Sequence, residues 1–454
     1  MVALLLSAVS GVLLSAAFEP VGKWWVAPIA IAAHMYALSI SQRKMLSSFI
    51  FALSLNLIVL HWSSTFVGSI PWVILALGLS ILYLPLALVS KWGISAYPLL
   101  YMLLEELRNR FPFGGFGWVR LAYTQADSPY SKIAAIGGAS ALSALTLAVA
   151  LIIFFGFKKR ISLITFLPFL FLLIPINLST VGNASVLMIQ GNVPQMGLDF
   201  NSRAKAVFRN HFERTQDEIA KDPNVDFILW PENSVDVDPF LNADVKKALD
   251  SIEQPLIIGA ILSKGNKNLN TSILWGGELP ETYIKQHLTP FGEYIPLRSL
   301  ARLVSPLVDD VDDFEPGDMG KTFSIGEIKV APVICYELID DDLLHQATAD
   351  SNLLAVQTNS ATFGMSAESA QQLSITRIRA IEHGRNIASV STTGYSAIID
   401  FSGTVIEQTS MATADTIRAE IGLIEGQTPR DKAGDWALVG VLVGLFLIAR
   451  RAYI

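Results

Sequence analysis

One cysteine, Cys335, stands among 454 residues, so no intrachain disulfide can form, and the thiol by itself says nothing about the redox compartment. Charge is also scarce: Asp, Glu, Lys and Arg make up 16% of the chain, against roughly a quarter in ordinary soluble proteins. Hydrophobic residues take 52% instead, which excludes a conventional soluble globule and implies a membrane protein. A basic excess is missing too. With a net charge of −7, no strongly basic region exists to neutralise phosphates, so nucleic acid is not an expected partner. The six histidines are scattered, and none shares metal-ligand spacing with Asp, Glu or another His; no metal and no cofactor are expected.

What the sequence does contain is a succession of apolar runs separated by short polar breaks. Seven lie at about 3–19, 22–41, 45–62, 70–90, 92–107, 132–156 and 161–178, and an eighth at 434–449. Each is near the ~17–25 residues that cross the hydrocarbon of a bilayer as a helix. The first carries "SAA" near its end, as a signal peptide can. It lacks a basic region before the apolar core, and a retained helix is the preferred reading. Basic residues set the expected orientation. Arg43, Lys44, Lys91, Lys158, Lys159, Arg160, Arg450 and Arg451 flank one side, eight in all, against Lys23, Arg108, Arg110 and Arg120 on the other. Both termini are therefore expected in the cytoplasm of a multi-pass protein of the cell membrane. The domains expected are a membrane domain of seven helices over 1–178, an extracytoplasmic domain over 179–433, and an eighth helix with a cytoplasmic tail over 434–454.

The 179–433 segment is polar, alternates helix and strand patterns, and reads as a globular α/β domain. "ASVLMIQ", "VDFILW", "PLIIGAIL", "IKVAPVIC", "NLLAVQT" and "NIASVST" have the β-branched, apolar character of short buried strands. Helical patterns run over 200–221 and 366–384. The acidic runs at 309–313 and 340–342 read as a solvated loop and a helix N-terminus rather than cation sites.

Three polar residues follow or interrupt strand-like runs: Glu232 in "ILWPENS", Lys285 in "YIKQHLTPFGEYIP" and Cys335 in "VICYEL". Singly, each has a plain structural explanation. A lone Cys is commonly packing, a Glu after Trp-Pro can cap a helix, and a Lys in a strand can snorkel. Together they form a chemically complete set, because a nucleophilic thiol needs a base, a cation to hold charge, and donors for a tetrahedral oxyanion.

"WPE", "K-x-H-x-x-PFGEY-x-P" and "CYE", in that order between a seventh and an eighth apolar run, resemble the apolipoprotein N-acyltransferase family, membrane-bound members of the nitrilase superfamily. "FPFGGFGWVRLAYTQAD" at 111–127, "VLMIQGNVPQ" and "RIRAIEHGRNIASVSTTGYSAIID" extend the resemblance over nearly the whole chain. It implies a multi-pass α-helical membrane domain of eight transmembrane helices plus an α/β nitrilase-like αββα sandwich. It also implies a Glu-Lys-Cys triad: Glu232 as general base, Lys285 stabilising the tetrahedral intermediate, and Cys335 as nucleophile. Glu293 would be a supporting carboxylate, and the backbone N–H of Tyr336 would complete the oxyanion hole. Tyr336 and Glu337 match positions that matter in the family, although a Tyr-Glu pair can equally start a helix after a strand. The partners implied are a membrane phospholipid as acyl donor, a diacylated lipoprotein as acceptor, and the bilayer itself. The segment 286–308 has the apolar content of a lid.

The chain departs from the commonest family pattern at Ser360, Thr362 and Gln372, and in "GLDF" at 197–200, forms that resemble an actinobacterial branch. Two alternatives stand beside this reading. One is a membrane-tethered amidase that uses the same triad but lets water resolve the thioester; the other is a non-catalytic envelope scaffold, against which the intact Glu232, Lys285 and Cys335 argue.

Overall fold

The computed structural model describes residues 1–157, 169–193, 205–265, 267–277, 279–303, 308–309, 311–434, 439–440 and 443–444. The chain divides into two compact units, Met1–Asn177 with Thr428–Ile454, and Leu178–Gln427.

The first unit is helical: α1 Val2–Ser15, α2 Val26–Ile40, α3 Lys44–Val59, α4 Ser69–Ile81, α5 Val89–Trp92, α6 Tyr97–Arg110 and α7 Ala134–Phe157. These helices coincide with the first six apolar runs. Among the described residues two stretches, Ser69–Trp92 and Ser131–Gly156, are long and apolar enough to cross a membrane. Residues 161–168 of the seventh run and most of the eighth lie outside the described residues, as do Lys158, Lys159, Arg160, Arg450, Arg451 and the "GLDF" segment; the rest of the seventh run, 169–178, is a short 3₁₀ turn followed by non-helical chain rather than the expected helix. Polarity in this unit is inverted relative to a soluble protein. Ser7, Ser10, His34, Ser47, Asn56 and Ser80 are buried, whereas Leu5, Ile70, Ile74 and Ile81 are exposed. Water would penalise such a surface and hydrocarbon would not. Inside, Asn56 donates to the Ser80 hydroxyl at 3.1 Å. Gly11 of α1 faces α3 so closely that a Cβ there would stand 2.2 Å from the Phe51 carbonyl oxygen. Two of the basic residues counted as exterior flanks are not at a surface. Arg108 and Arg120 are both buried. Arg108 donates to Tyr83 Oη at 2.8 Å, and Arg120 pairs with Glu106 at 3.3 Å. They are consumed by internal pairing and do not count toward orientation.

The second unit is built on two six-stranded sheets. In chain order the strands are β1 Ser179–Gln190, β2 Phe227–Leu229, β3 Leu256–Lys264, β4 Lys267–Trp275, β5 Glu281–Ile284, β6 Phe323–Ile325, β7 Ile328–Ile334, β8 Leu353–Thr358, β9 Ile387–Ser391, β10 Ala397–Ile399, β11 Val405–Gln408 and β12 Asp415–Glu425. The sheet orders are β12-β1-β2-β3-β4-β5 and β11-β10-β9-β8-β7-β6. Each has a parallel centre, β1-β2-β3 in one and β7-β8-β9 in the other, with antiparallel strands outside it. Side chains alternate across β1 with a period of two. Val186 and Met188 join Leu229, Val330 and Ala388 in the core between the sheets, while Leu187 and Ile189 join Ile228 and Trp230 on the outer face. That outer face is covered by α8 Ala206–Lys221 and α9 Ala243–Leu249, through Phe208, Val245 and Leu249. Fully burying a side chain of this size contributes about 1.5–3 kcal/mol. A short helix, α10 Arg298–Ala301, follows β5; α11 Asp341–Ala349 and α12 Glu368–His383 pack on the second sheet, and α13 Pro429–Ala433 belongs to the first unit. All six expected strands are present, and both helical patterns correspond to α8 and α12.

The acidic runs have structural partners. Asp309 pairs with Arg302, Asp313 with Arg298, and the Asp340 carboxylate caps α11 by accepting from the N–H groups of Asp342 and Leu343.

One buried carboxylate ties the two sheets together. Glu337, in the 3₁₀ turn Cys335–Ile339 after β7, is fully buried. Its Oε1 accepts from Tyr283 Oη at 2.7 Å, Gln286 N at 2.7 Å and His287 N at 3.4 Å, and its Oε2 accepts from Ile334 N at 2.7 Å. Tyr283 belongs to the first sheet and Ile334 to the second. Glu337→Gln places an amide donor against N–H and O–H donors; we expect a stability loss of about 1–3 kcal/mol per donor left unsatisfied, read as a lowered thermal midpoint, with Tyr283→Phe milder because it removes a single donor. A second constraint is steric. Gly259 of β3 lies under the turn after β2, and a Cβ there would stand 2.3 Å from the Pro231 carbonyl oxygen and 2.6 Å from Glu232 Cα. Gly259→Ala should cost about 1–3 kcal/mol by overpacking and reduce activity by displacing Glu232. Gly320→Ala, with nothing within 4 Å of its Cβ, is the matched neutral control in the same unfolding measurement.

Candidate active site

The second unit delivers polar side chains from separate strand ends to one buried place. Glu232 follows β2, Lys285 follows β5, and Cys335 follows β7, so two of the three stand at the carboxyl ends of parallel strands, where α/β folds place their chemistry. The turn after β2 is held from below and from the side. Ser234 Oγ donates to the Gly259 carbonyl at 3.1 Å, Thr392 Oγ1 to the Glu232 carbonyl at 3.2 Å, and Gln357 Nε2 to the Trp230 carbonyl at 2.6 Å. The Glu232 backbone is thus fixed before its carboxylate does anything.

Lys285 is 1% exposed and lies between two carboxylates, 3.3 Å from Glu232 Oε1 and 2.8 Å from Glu293 Oε2. It does not snorkel. Asn270 of β4 donates through Nδ2 to both, at 2.8 Å to Glu232 and 2.6 Å to Glu293, which sets their spacing. The Thr289 N–H donates to Glu293 Oε2 at 2.7 Å. Burial alone would lower the Lys285 pKa, but Glu293 and then Glu232 reverse this and hold the ammonium charged. Burial works against ionisation of Glu293, which the lysine overcomes, leaving that carboxyl below its ordinary range. Glu232 goes the other way. Burial raises it, Lys285 pulls it down, and the neighbouring Glu293 pushes it up again, for a net rise. The two carboxyls are therefore differentiated, Glu293 held below its ordinary range beside the ammonium and Glu232 raised above it.

Cys335 stands immediately after β7 rather than within it, with a backbone φ of +51°. For a residue with a Cβ this left-handed conformation costs about 1–3 kcal/mol, and it is flanked by the bond that the Ile334 N–H donates to Glu337. Burial pushes the thiol pKa up, Glu232 adds to this and Lys285 opposes it, so the sulfur lies within electrostatic reach of both. Both shifts run the same way: the thiol and the Glu232 carboxyl each hold a proton more readily than in free solution.

The remaining expected residues divide by role. Tyr336 is buried, with its ring edge-on to His287 at 5.3 Å. His287 pairs with Asp340 at 2.8 Å. Glu337 makes the cross-sheet bonds already described. Sequence reasoning missed Asn270, whose strand gives no motif, and left Gln372 only as a departure from a pattern. Gln372 Nε2 donates to Cys335 Sγ at 3.6 Å.

Comparison with known proteins falls into line with this arrangement. Residues 10–152 match the family model described as the apolipoprotein N-acyltransferase N-terminal domain, and residues 211–428 match that of carbon-nitrogen hydrolases. The second match identifies the two-sheet unit as a nitrilase-like α/β fold. An apolipoprotein N-acyltransferase from Mycolicibacterium smegmatis is 31% identical, over 93% of this chain and 80% of that protein. One from Geobacter metallireducens is 30% identical, over 99% of this chain and 95% of that protein. A solved CN-hydrolase superfamily protein from Xanthomonas campestris aligns with a TM-score of 0.40 at 14% identity, covering 57% of this chain and 96% of that one. Relatives matched across both units, at this identity and coverage, place the chain in the apolipoprotein N-acyltransferase family.

Proposed function

We propose that this chain moves an acyl chain from a membrane phospholipid to the N-terminal amine of a diacylated lipoprotein, through a thioester on Cys335. The observation that carries the reading is the buried Glu232–Lys285–Glu293 cluster within electrostatic reach of a strained, solitary thiol. In the first half-reaction Glu232 takes the thiol proton and the sulfur attacks the ester carbonyl. The Lys285 ammonium and the Tyr336 N–H stabilise the tetrahedral oxyanion. The C–O bond then breaks and the lysophospholipid alkoxide leaves with the proton held by Glu232. In the second, the acceptor amine attacks the thioester, and the C–S bond breaks to release an amide and the free thiol.

Both substrates are lipids, which supports the membrane reading of the first unit. We extend it to eight spanning helices, with both termini cytoplasmic and the catalytic domain, 179–433, outside. The 286–308 segment exposes Phe291, Leu297, Leu300 and Leu303, an apolar set suited to contact with lipid; residues 304–307 of it lie outside the described residues. The amidase and scaffold readings are not favoured, since the N-terminal family match belongs to N-acyltransferases rather than soluble hydrolases.

Intact-protein mass spectrometry tests the route. Incubation with phospholipid should add one acyl group to Cys335, and a diacylated lipopeptide should remove it far faster than water. Cys335→Ser should form no thioester while still inserting in membranes. Glu232→Gln should lower acyl-enzyme formation by about 10²–10⁴-fold, the usual worth of a general base. Normal acylation in either variant would remove that residue from the mechanism.

A further inference from the structure

Glu368 opens α12, and Gln372 stands one turn later on the same helix face. Gln372 reaches the nucleophile, donating to Cys335 Sγ, so this face of α12 looks into the active site. Glu368 is itself only 2% exposed. Glu232 and Glu293 share Lys285, and Glu337 takes four donors; Glu368, by contrast, has no cation paired with it among the described residues, and its Oε2 has no hydrogen-bond partner among them. A buried carboxylate without a paired cation is costly. The Ser360 hydroxyl acts on Glu368, and Ser360 Oγ converges with Ser369 Oγ and Ser391 Oγ, all within 2.8 Å of the point where a Cβ on Gly394 would stand. The Thr393 hydroxyl, just before Gly394, is buried with no hydrogen-bond partner among the described residues. Thr392 in turn donates to the Glu232 carbonyl, which connects this recess to the base.

A small cation with several N–H donors is the chemical complement of such a recess, and the acceptor brings one: at neutral pH its α-amine is largely an ammonium. We propose that Glu368 binds the acceptor's α-ammonium and removes its first proton, making it the group that selects an amine over water in the second half-reaction. The step balances as follows. Glu368 takes one proton from the ammonium, leaving a neutral amine whose lone pair attacks the thioester carbonyl. Glu232 takes the second proton from nitrogen. The C–S bond breaks with its electron pair on sulfur, Glu232 returns its proton to the thiolate, and Glu368 gives up its own to solvent. Burial, opposed by Ser360 and aided by Glu232, raises the Glu368 carboxyl to about 7, close to an ordinary α-amine at ~7.7–8.0. The titratable groups acting on it are Glu232, from the turn after β2, and Cys335, after β7. No motif marks this residue in the sequence.

This assignment rests on the thioester route proposed above, and the test separates the two. Full-length protein is loaded with phospholipid, the acyl-enzyme is followed by intact mass, and a synthetic S-diacylglyceryl-cysteine peptide with a free N-terminus is added at pH 7 and at pH 9. In E368Q, aminolysis of the loaded enzyme at pH 7 should fall about a hundredfold with a raised KM for the peptide. The deficit should shrink at pH 9, where the amine is already neutral, and Glu368→Asp should recover part of the pH 7 rate. An equal deficit at both pH values, or an equal loss in acyl-enzyme formation, overturns the assignment while leaving the route intact. If the unaltered protein forms no acyl-enzyme, the route itself fails and the assignment falls with it.

Discussion

The catalytic unit depends on the carboxylate of Glu337. Its two oxygens receive donors from both sheets: Tyr283 Oη and the Gln286 N–H on one side, the Ile334 N–H on the other. Gln286 follows Lys285, and Ile334 precedes Cys335. The same side chain therefore fixes the residue after the cation and the residue before the nucleophile, and the separation between them is set by hydrogen bonds rather than by loop conformation. Hydrophobic packing between the sheets is non-directional and could tolerate a small slide. A fully buried carboxylate with four donors could not, because a displaced donor would lose its partner where no water can replace it.

Preorganisation of charge follows from this frame. Lys285 remains an ammonium although it is buried, because Glu293 and Glu232 flank it, and Asn270 holds those two carboxylates at fixed spacing. The charges and their spacing are thus fixed by the fold, the preorganisation that the proposed stabilisation of an oxyanion calls for. The left-handed backbone at Cys335 is a local cost of the same design. It directly follows Ile334, whose N–H Glu337 holds, and the sulfur there accepts from Gln372 Nε2.

The helical unit shows a complementary logic. Its polar side chains, Asn56 and Ser80 among them, pair inside, and its apolar ones face out. Arg108 and Arg120 illustrate how far pairing can override a rule read from sequence. Counting basic residues beside apolar runs treats each as a free surface charge. Once an arginine is buried against Glu106 or a tyrosine hydroxyl, it no longer reports which side of a bilayer it occupies.

Much of this was legible in the sequence alone. Low charge and repeated apolar runs announced a membrane protein, the six β-branched runs became strands, and the ordered "WPE", "YIKQH" and "CYE" motifs pointed to Glu232, Lys285 and Cys335. Other elements were hidden for physical reasons. The strand β4 mixes Asn, Thr and Ser with apolar residues because one of its side chains, Asn270, bridges two carboxylates, so its pattern is not that of a plain buried strand. Glu337 followed Tyr336 as a bare pair that could equally have begun a helix. Composition and short-range order thus determined the kind of protein and brought out Glu232, Lys285 and Cys335 as the candidate set, because hydropathy and motif spacing are local properties. Only the tertiary structure decided which carboxylates flank Lys285, which one cross-links the sheets, and that Glu368 stands one turn before Gln372, the residue that donates to the Cys335 sulfur. A carboxylate's role is set by the donors and cations that distant strands bring to it, and a linear sequence does not contain those distances.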